Sequence, residues 1–304
     1  MKISVVIATY NGERFFTEQL DSILGQSRKA DEIVVVDDCS TDTTSKIIER
    51  YSADCAEIRF YENEKNKGWR KNFHEAILKS SGDIIVLCDQ DDIWYKNKLE
   101  TTEYIFSQYA HVELLASEFD EMEDEKLKKK KGRKELLTQV AIDGRLIHTY
   151  YPGCTYAFRR DLFERISPFW NDALPHDAQL GIAARIFHSM FIYGNSLIVY
   201  RRHQNNATKR TVPSIEKKRD YVSAERCYIE FAYQIIDSYG SRIHDLDTTK
   251  RILCEIKHYL ENREVLLERA TPKQIVRAFA HINNYYSART CLGDIAFALK
   301  YKGE

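Results

Sequence analysis

A chain of 304 residues has room for one large domain or two ordinary ones, and 43% hydrophobic with 30% charged residues is the composition of a folded globular protein. A formal net charge of -1 lacks the basic excess that a surface tracking nucleic-acid phosphates needs, so nucleic acid is not an expected partner. Met1-Lys2 leads straight into a strand without a signal-peptide pattern, and no apolar run reaches the roughly 18 to 20 residues that span a bilayer, which predicts a cytoplasmic chain. Seven cysteines without CxxC pairing predict reduced thiols and no structural zinc.

A strand over 3–8 opens the chain and runs into Thr9-Tyr10-Asn11-Gly12-Glu13, with a helix predicted over 13–24. A second strand over 32–36 runs into Asp37-Asp38-Cys39-Ser40-Thr41-Asp42, with a helix over 43–51. A third, over 84–88, ends in the acidic tetrad Asp89-Gln90-Asp91-Asp92. Short β-branched runs without polar alternation, separated by helical patterns, are how a parallel sheet covered on both faces is written. The fold class is therefore α/β. In such sheets ligands bind beyond the carboxyl ends of the strands, so Thr9 to Asn11, Asp37 with Asp38, and Asp89 to Asp92 are expected in one crevice. Three carboxylates at a strand end suit a hard divalent cation, Mn²⁺ or Mg²⁺, which takes oxygen ligands and commonly bridges to substrate phosphates. An acidic turn is the plainer alternative, because Asp is common in turns.

Further along, 118–125 is acidic and 126–134 basic, a pattern of solvated loops or, alternatively, of a flap near an acceptor or an anionic membrane surface. An aromatic turn around Tyr150-Tyr151-Pro152-Gly153 precedes a strand, and a short helix is predicted over 160–166. Pro175 interrupts before His176-Asp177, after which Leu180, Ala183, Ala184 and Phe187 share one helix face. Asp177 thus falls in the first turn or at the cap, a sufficient structural reason for an Asp. A strand over 197–200 ends in Arg201-Arg202-His203. From 214 onward three helices are predicted, over 215–239, 248–270 and 272–301, with Gly240 as a stop and Thr271-Pro272 as a start. Tyr285-Tyr286, Arg289 and Lys300-Tyr301-Lys302 suit an interfacial helix at a membrane; a helical appendage that packs on the first domain or makes a homodimer is the other reading.

The ordered set Val5 to Asn11, Val34 to Asp42, Asn66-Lys67-Gly68 and Asp89-Gln90-Asp91-Asp92 resembles the motifs of family-2, GT-A fold glycosyltransferases. Asp89 to Trp94, Pro175-His176-Asp177 and Tyr200 to Asn206 resemble its bacterial polysaccharide, rhamnosyltransferase-like branch. The resemblance covers about 1–210 and implies a GT-A domain there, Rossmann-like with a mostly parallel sheet, followed by a helical region over 211–304.

What the resemblance implies for single residues is specific. Thr9, Tyr10, Asn11, Glu13 on the ribose and Asp37 on the base would form the nucleoside pocket; Gly68 would allow close approach, with Lys71 the nearest cation. Asp89 would serve the ribose and the metal, Asp91 would be the main metal ligand, and His203 would add a nitrogen ligand. Arg201 and Arg202 would clamp the diphosphate, to which a planar guanidinium donates two hydrogen bonds at once. Asp92, Trp94, Gly153 and His176 would face the acceptor, and Asp177 would be the general base. Lys96 and Lys98 read as surface charge or helix-start residues, with a part in the acidic site as the minority reading. The expected function is an inverting, metal-dependent glycosyltransferase that takes a sugar from dTDP-rhamnose or a UDP-hexose. Its acceptor is a hydroxyl of a cell-surface polysaccharide or lipid-linked oligosaccharide, reached at the inner face of the membrane. A non-catalytic nucleotide-sugar binding protein and a nucleotidyltransferase are the alternatives; the chain lacks the Gly-rich, cationic first loop that the latter uses on a triphosphate.

Overall fold

The computed structural model describes residues 1–203 and 214–300; Gln204, Asn205 and Asn206 of the motif that begins at Tyr200, and Tyr301 and Lys302, lie outside the described residues. The chain forms two compact units, one of 1–140, 150–184 and 189–207, the other of 141–149, 185–188 and 208–304.

The first unit is built on one mixed sheet. Its opening half consists of β1 (Ile3–Thr9), β2 (Glu32–Asp37), β3 (Ile58–Glu62) and β4 (Ile84–Cys88), all parallel, in the order β3-β2-β1-β4. Every residue of β1, β2 and β4 is buried, the reason their sequences carry no polar alternation. Each fully buried Val or Ile contributes roughly 1.5–3 kcal/mol of transfer free energy. Helices α1 (Phe16–Leu24), α2 (Thr44–Asp54) and α3 (Trp69–Lys79) connect these strands. Thr9 lies opposite Asp37, and Ile7 opposite Cys88, so the residues that follow β1, β2 and β4 emerge along one edge.

Beyond β4 the sheet becomes mixed. After β5 (Ile93–Trp94) and α4 (Lys98–Gln108) come β6 (Leu114–Glu123), β7 (Lys126–Lys128), β8 (Leu137–Gln139), β9 (Tyr156–Arg159) and β10 (Met190–Arg202). The order continues β4-β9-β6-β10-β5, with β9 antiparallel to both neighbours and β10 parallel to β6. The strand predicted over 197–200 is the end of a longer one, bent by irregularities between Tyr193 and Ile198. Helices α5 (Arg160–Ile166) and α6 (His176–Ile186) lie between β9 and β10.

The acidic and basic blocks are not separate loops. Glu121 to Glu123 pair antiparallel with Lys126 to Lys128 across a two-residue turn in which Asp124 and Glu125 have φ of 49° and 61°. Two successive positive-φ residues are the geometry of a tight hairpin, and opposite charges across the strands favour the pairing.

The second unit is helical: α7 (Ile215–Tyr239), α8 (Leu246–Glu268), α9 (Pro272–Ala280) and α10 (Ala288–Lys300). Ser214, Asp245 and Thr271 cap α7, α8 and α9 through their side chains, and Pro272 opens α9. The single helix expected over 272–301 is broken, because Asn283 and Asn284 interrupt it and Ser287 accepts the Thr290 N–H at 3.2 Å to start α10 afresh. Inside the unit, fully buried Asp294 takes the ammonium of Lys218 and the Arg263 Nε at 2.7 Å, while Arg263 also bonds Glu225 at 2.5 Å. Among the described residues no helix is long and apolar enough to cross a membrane.

Candidate active site

The three strand ends named from the sequence do meet. After β4 the tetrad turns, and Gln90 reaches across to β1: its Oε1 accepts from Thr9 Oγ1 at 2.7 Å and from the Tyr10 N–H at 2.8 Å, and its Nε2 donates to the Tyr10 carbonyl at 3.1 Å. Gly12 is needed here, since a Cβ would stand 2.8 Å from Gln90 Oε1. Asn11, at φ 49°, holds the Thr41 N–H on its Oδ1 at 2.8 Å, and Glu13 takes the N–H and hydroxyl of Thr43 at 3.0 and 2.7 Å. Tyr10 is left exposed at the mouth.

Asp37 and Asp38 are loop organisers. Asp37 is fully buried and accepts from the Ser40 N–H and hydroxyl at 2.7 and 2.6 Å. Asp38 gathers the Lys67 and Gly68 N–H groups at 2.9 and 2.8 Å, with Gly68 at φ 83°. That turn delivers the amino end of α3, where Trp69 is exposed and stacks with Arg70 at 4.5 Å. Lys71, the cation expected there, is exposed on the helix; Arg70 is the one whose charge reaches His176 and Asp177.

Around the tetrad, charge is concentrated and buried. Asp91 Oδ2 meets His203 Nε2 at 2.6 Å, bringing the end of β10 to the end of β4. Arg201 donates its backbone N–H to Asp92 Oδ1 at 3.0 Å and its Nε to the Asp91 carbonyl at 2.9 Å, and it pairs with Glu18 at 2.6 Å. The Phe15 ring packs on both His203 and Arg201. Arg202 emerges on the other face of the strand, pairs with Glu121 at 3.1 Å and lies over the Tyr200 ring, while Arg201 is the one that bonds the Asp91-Asp92 turn. Alternation along a strand enforces that split. Burial, then the charges of Asp92, Asp91 and Asp177, push the Asp89 carboxyl well above its ordinary range; burial and Asp91 push Asp92 up to about 7.

Two residues expected at the surface are inside. Trp94, predicted to face the acceptor, is 4% exposed in the core of the first unit, because β5 is folded against β10. Lys98, read as surface or helix-start charge with a part in the acidic site as the minority reading, does open α4 but is 2% exposed: its Nζ donates to the Cys154 carbonyl at 3.2 Å and lies 4.7 Å from the Trp94 ring centre. Burial lowers that ammonium to about 8, with the neighbouring thiols and Asp92 opposing the drop.

The donor atoms of Asp89, Asp92 and Cys154 lie within 4.8 Å of one another. Cys154 is a poor partner for a hard cation, since burial and two carboxylates keep its thiol protonated. Asp91 and His203, in contact at 2.6 Å, offer Mn²⁺ or Mg²⁺ the oxygen and nitrogen donors expected of them, but among the described residues Asp89 is grouped within 4.8 Å with Asp92 and Cys154 and not with that pair; a divalent charge near Asp89 would offset the burial and neighbouring carboxylates that raise it.

The start of α6 brings Asp177 near enough for its charge to act on Asp89. Asp177 accepts the Ala178 N–H at 2.8 Å, and burial lifts its carboxyl to about 6, against that hydrogen bond and the Arg70 charge. His176 is 4% exposed, its ring 4.1 Å from that of Phe73 and edge-on to Trp69, with neither nitrogen hydrogen-bonded; burial and Arg70 hold it neutral, down to about 3. Gly153 makes this packing possible, since a Cβ would sit 2.4 Å from His176 Nε2 and 3.3 Å from Asp177 Cβ. Gly153, His176 and Asp177 therefore form one contact group. A carboxylate lifted toward neutrality is suited to accept a proton from a hydroxyl brought within hydrogen-bond reach.

The description "glycosyl transferase family 2" matches residues 4–167, more than half of the chain and the part that carries the nucleotide-side loops and the acidic tetrad. The chain belongs to glycosyl transferase family 2. This family-2 chain is 30% identical over 216 residues to dTDP-rhamnosyl transferase RfbG of Shigella flexneri, covering 66% of this chain and 72% of that one. It is 32% identical over 117 residues to the putative glycosyltransferase EpsE of Bacillus subtilis, covering 38% of this chain. The match spans 42% of EpsE, less than half of that relative's length. The fold is that of the crystal structure of S. aureus TarS 1-349 in complex with UDP-GlcNAc, with a TM-score of 0.64 at 18% identity over 99% of this chain and 91% of that one.

The residues that sequence reading passed over are Gln90, Arg70 and Trp69. Gln90 stood inside a quoted motif, but its role is visible only once β1 and β4 are neighbours. Nothing in the sequence distinguishes Lys98 from any lysine at a helix start.

Proposed function

We propose that this chain is an inverting, metal-dependent glycosyltransferase that moves a sugar from a nucleotide-diphosphate donor to a hydroxyl of a cell-surface polysaccharide or lipid-linked oligosaccharide. The observation that carries the reading is the neighbourhood of two groups: the contact of Asp91 with His203, and Asp177, with a carboxyl raised to about 6, whose charge acts on Asp89 in the same tetrad. The names of RfbG and TarS support a dTDP-rhamnose or UDP-hexose donor.

The donor nucleoside would lie along Thr9, Tyr10 and Asn11, over the loop that Gln90 and Asp38 hold in place. A divalent cation held by Asp89, Asp91 and His203 would neutralise charge that develops on the departing diphosphate. Arg201 keeps the Asp91-Asp92 turn fixed and adds a guanidinium on the same side. Asp177 takes the proton of the acceptor hydroxyl as that oxygen bonds to sugar C1; the bond from C1 to the diphosphate oxygen breaks on the opposite face, and the anomeric configuration inverts. His176, neutral and wedged between Phe73 and Gly153, positions Asp177 without exchanging protons near neutral pH.

The test is a panel of nucleotide sugars with Mn²⁺ or Mg²⁺, reading free nucleoside diphosphate. Cation-dependent release with dTDP-rhamnose or a UDP-hexose is expected. Binding of a donor without hydrolysis or transfer would leave a nucleotide-sugar binding protein, and release of pyrophosphate from a triphosphate would make it a nucleotidyltransferase.

A further inference from the structure

We propose that the cationic arm 126–134 is a binding surface for an acceptor that carries closely spaced negative charges along its chain. The inference gives a substrate class to the transfer reaction and rests on that reading for its context, though not for its test.

The arm holds Lys126, Lys128, Lys129, Lys130, Lys131, Arg133 and Lys134, seven cations in nine residues of a chain whose net charge is -1. All nine residues are exposed, yet the arm is not loose. Lys128 pairs with Glu123 at 2.6 Å, the Lys130 N–H bonds Asp120 at 2.9 Å, and the Lys130 ammonium caps the Phe119 ring. Gly132 passes so close to Asn195 that a Cβ would stand 2.6 Å from its Oδ1. Arg133 bonds Glu118 at 2.7 Å and the Tyr151 hydroxyl. These contacts consume Lys128, Lys130 and Arg133. Lys126, Lys131 and Lys134 make no ion pair with a carboxylate among the described residues, and Lys129 acts on Asp120 only at a distance.

Position gives this surplus charge its meaning. β6 is paired with β10 on one side, with Glu121 to Glu123 opposite Tyr200 to Arg202, and on its other side with β9 at 114–116 and then with the arm. The arm therefore begins one strand away from Arg202 and His203. Its far end is tied to Tyr151, two residues before the Gly153 that backs His176 and Asp177. It thus runs from the neighbourhood of the β10 end to the segment that leads into Gly153. A fixed row of ammonium groups there raises the local concentration of a polyanion and holds it in register. The anions can be phosphodiesters or uronate carboxylates, which share this chemistry.

The experiment uses the full chain and no turnover: fluorescence anisotropy with labelled ribitol-phosphate octamer, oligogalacturonate of equal length, and neutral maltooctaose. Wild type is expected to bind an anionic oligomer at least about tenfold more tightly than the neutral one, with affinity falling as salt rises. Preference between the two anionic probes separates phosphate from carboxylate. The variant Lys126→Gln/Lys129→Gln/Lys131→Gln/Lys134→Gln should lose that margin, with unchanged thermal unfolding and unchanged hydrolysis of the nucleotide-sugar donor; Lys131→Glu alone serves if the fourfold variant does not fold. Equal affinity for charged and neutral probes, or unaltered binding by the variants, overturns the proposal. So does co-sedimentation with phosphatidylglycerol vesicles without oligomer binding, which would make the arm a membrane contact. Loss of donor hydrolysis in wild type would instead strike the transferase reading and leave the binding result standing.

Discussion

His203 and Asp91 meet at 2.6 Å although 112 residues separate them, and their contact ties the last strand of the sheet to the acidic turn after β4. If the pair holds a cation during turnover, Asp91→Asn lowers transfer by on the order of 10² or more, because stabilising leaving-group charge is worth several kcal/mol. His203→Ala should raise the Mn²⁺ concentration needed for half-maximal rate more than it lowers the rate at saturating Mn²⁺. A folded Asp91→Asn protein with near-wild-type turnover would remove the cation from the mechanism.

Asp177→Asn separates base from helix cap. Asn can accept the Ala178 N–H as Asp does, so stability and donor binding should persist, while transfer falls by about 10² to 10⁴. The pH profile gives an independent check. A base must be deprotonated to work, and with its carboxyl lifted to about 6 the wild-type rate should decline as pH falls through 6 and level off above 7. A flat profile between pH 5 and 8 would place the base elsewhere.

Gly153→Ala should disturb Asp177 through His176, since the new methyl would overlap the imidazole. Overpacking of this kind costs about 1–3 kcal/mol. The double variant Gly153→Ala/His176→Ala should recover much of that stability, and a double-mutant cycle on thermal unfolding would show strong coupling. Additive losses would mean that the two residues are not in contact.

His148, in the helical unit, is held down to about 4 chiefly by burial, with its Nε2 on the Asn284 carbonyl at 2.8 Å. Unfolding returns it to its ordinary value near 6.5, so the unfolded chain binds the extra proton first. Its neutral state is fully tolerated above 6.5, and stability is lost as pH falls from 6.5 to about 4, by on the order of 3 kcal/mol. His148→Asn should flatten that part of the stability curve relative to wild type, as followed by urea unfolding at stepwise pH.

Much of this was legible because the strands that carry it are buried on both faces and so announce themselves as apolar runs. Asp89 and Asp91 could be placed from the end of 84–88, and Asp177 from the break at Pro175. Trp94 could not, since only the pairing of β5 with β10 turns its ring inward. Arg201 and Arg202 are adjacent and chemically alike, and the face each occupies depends on the register of β10 against β6. The charged blocks looked like loops because neither has an apolar face; their pairing rests on opposite charge and a tight turn. The interruption of the last helix at 281–287 was written in Asn283, Asn284 and Ser287, but a periodic apolar pattern on both sides hid it.

The burial of Lys98 bears on the order of events in the life of the protein. Its ammonium is a tethered monovalent cation, bonded to the Cys154 carbonyl and within reach of the Asp92 charge, and it is carried there by α4 as part of the core. A site with an internal counter-charge can reach its folded shape before any divalent ion arrives, unlike small metal domains in which binding and folding are one transition. The sheet behind the acidic turn would then keep its shape whether or not a divalent cation is bound, as circular dichroism with and without chelator would show.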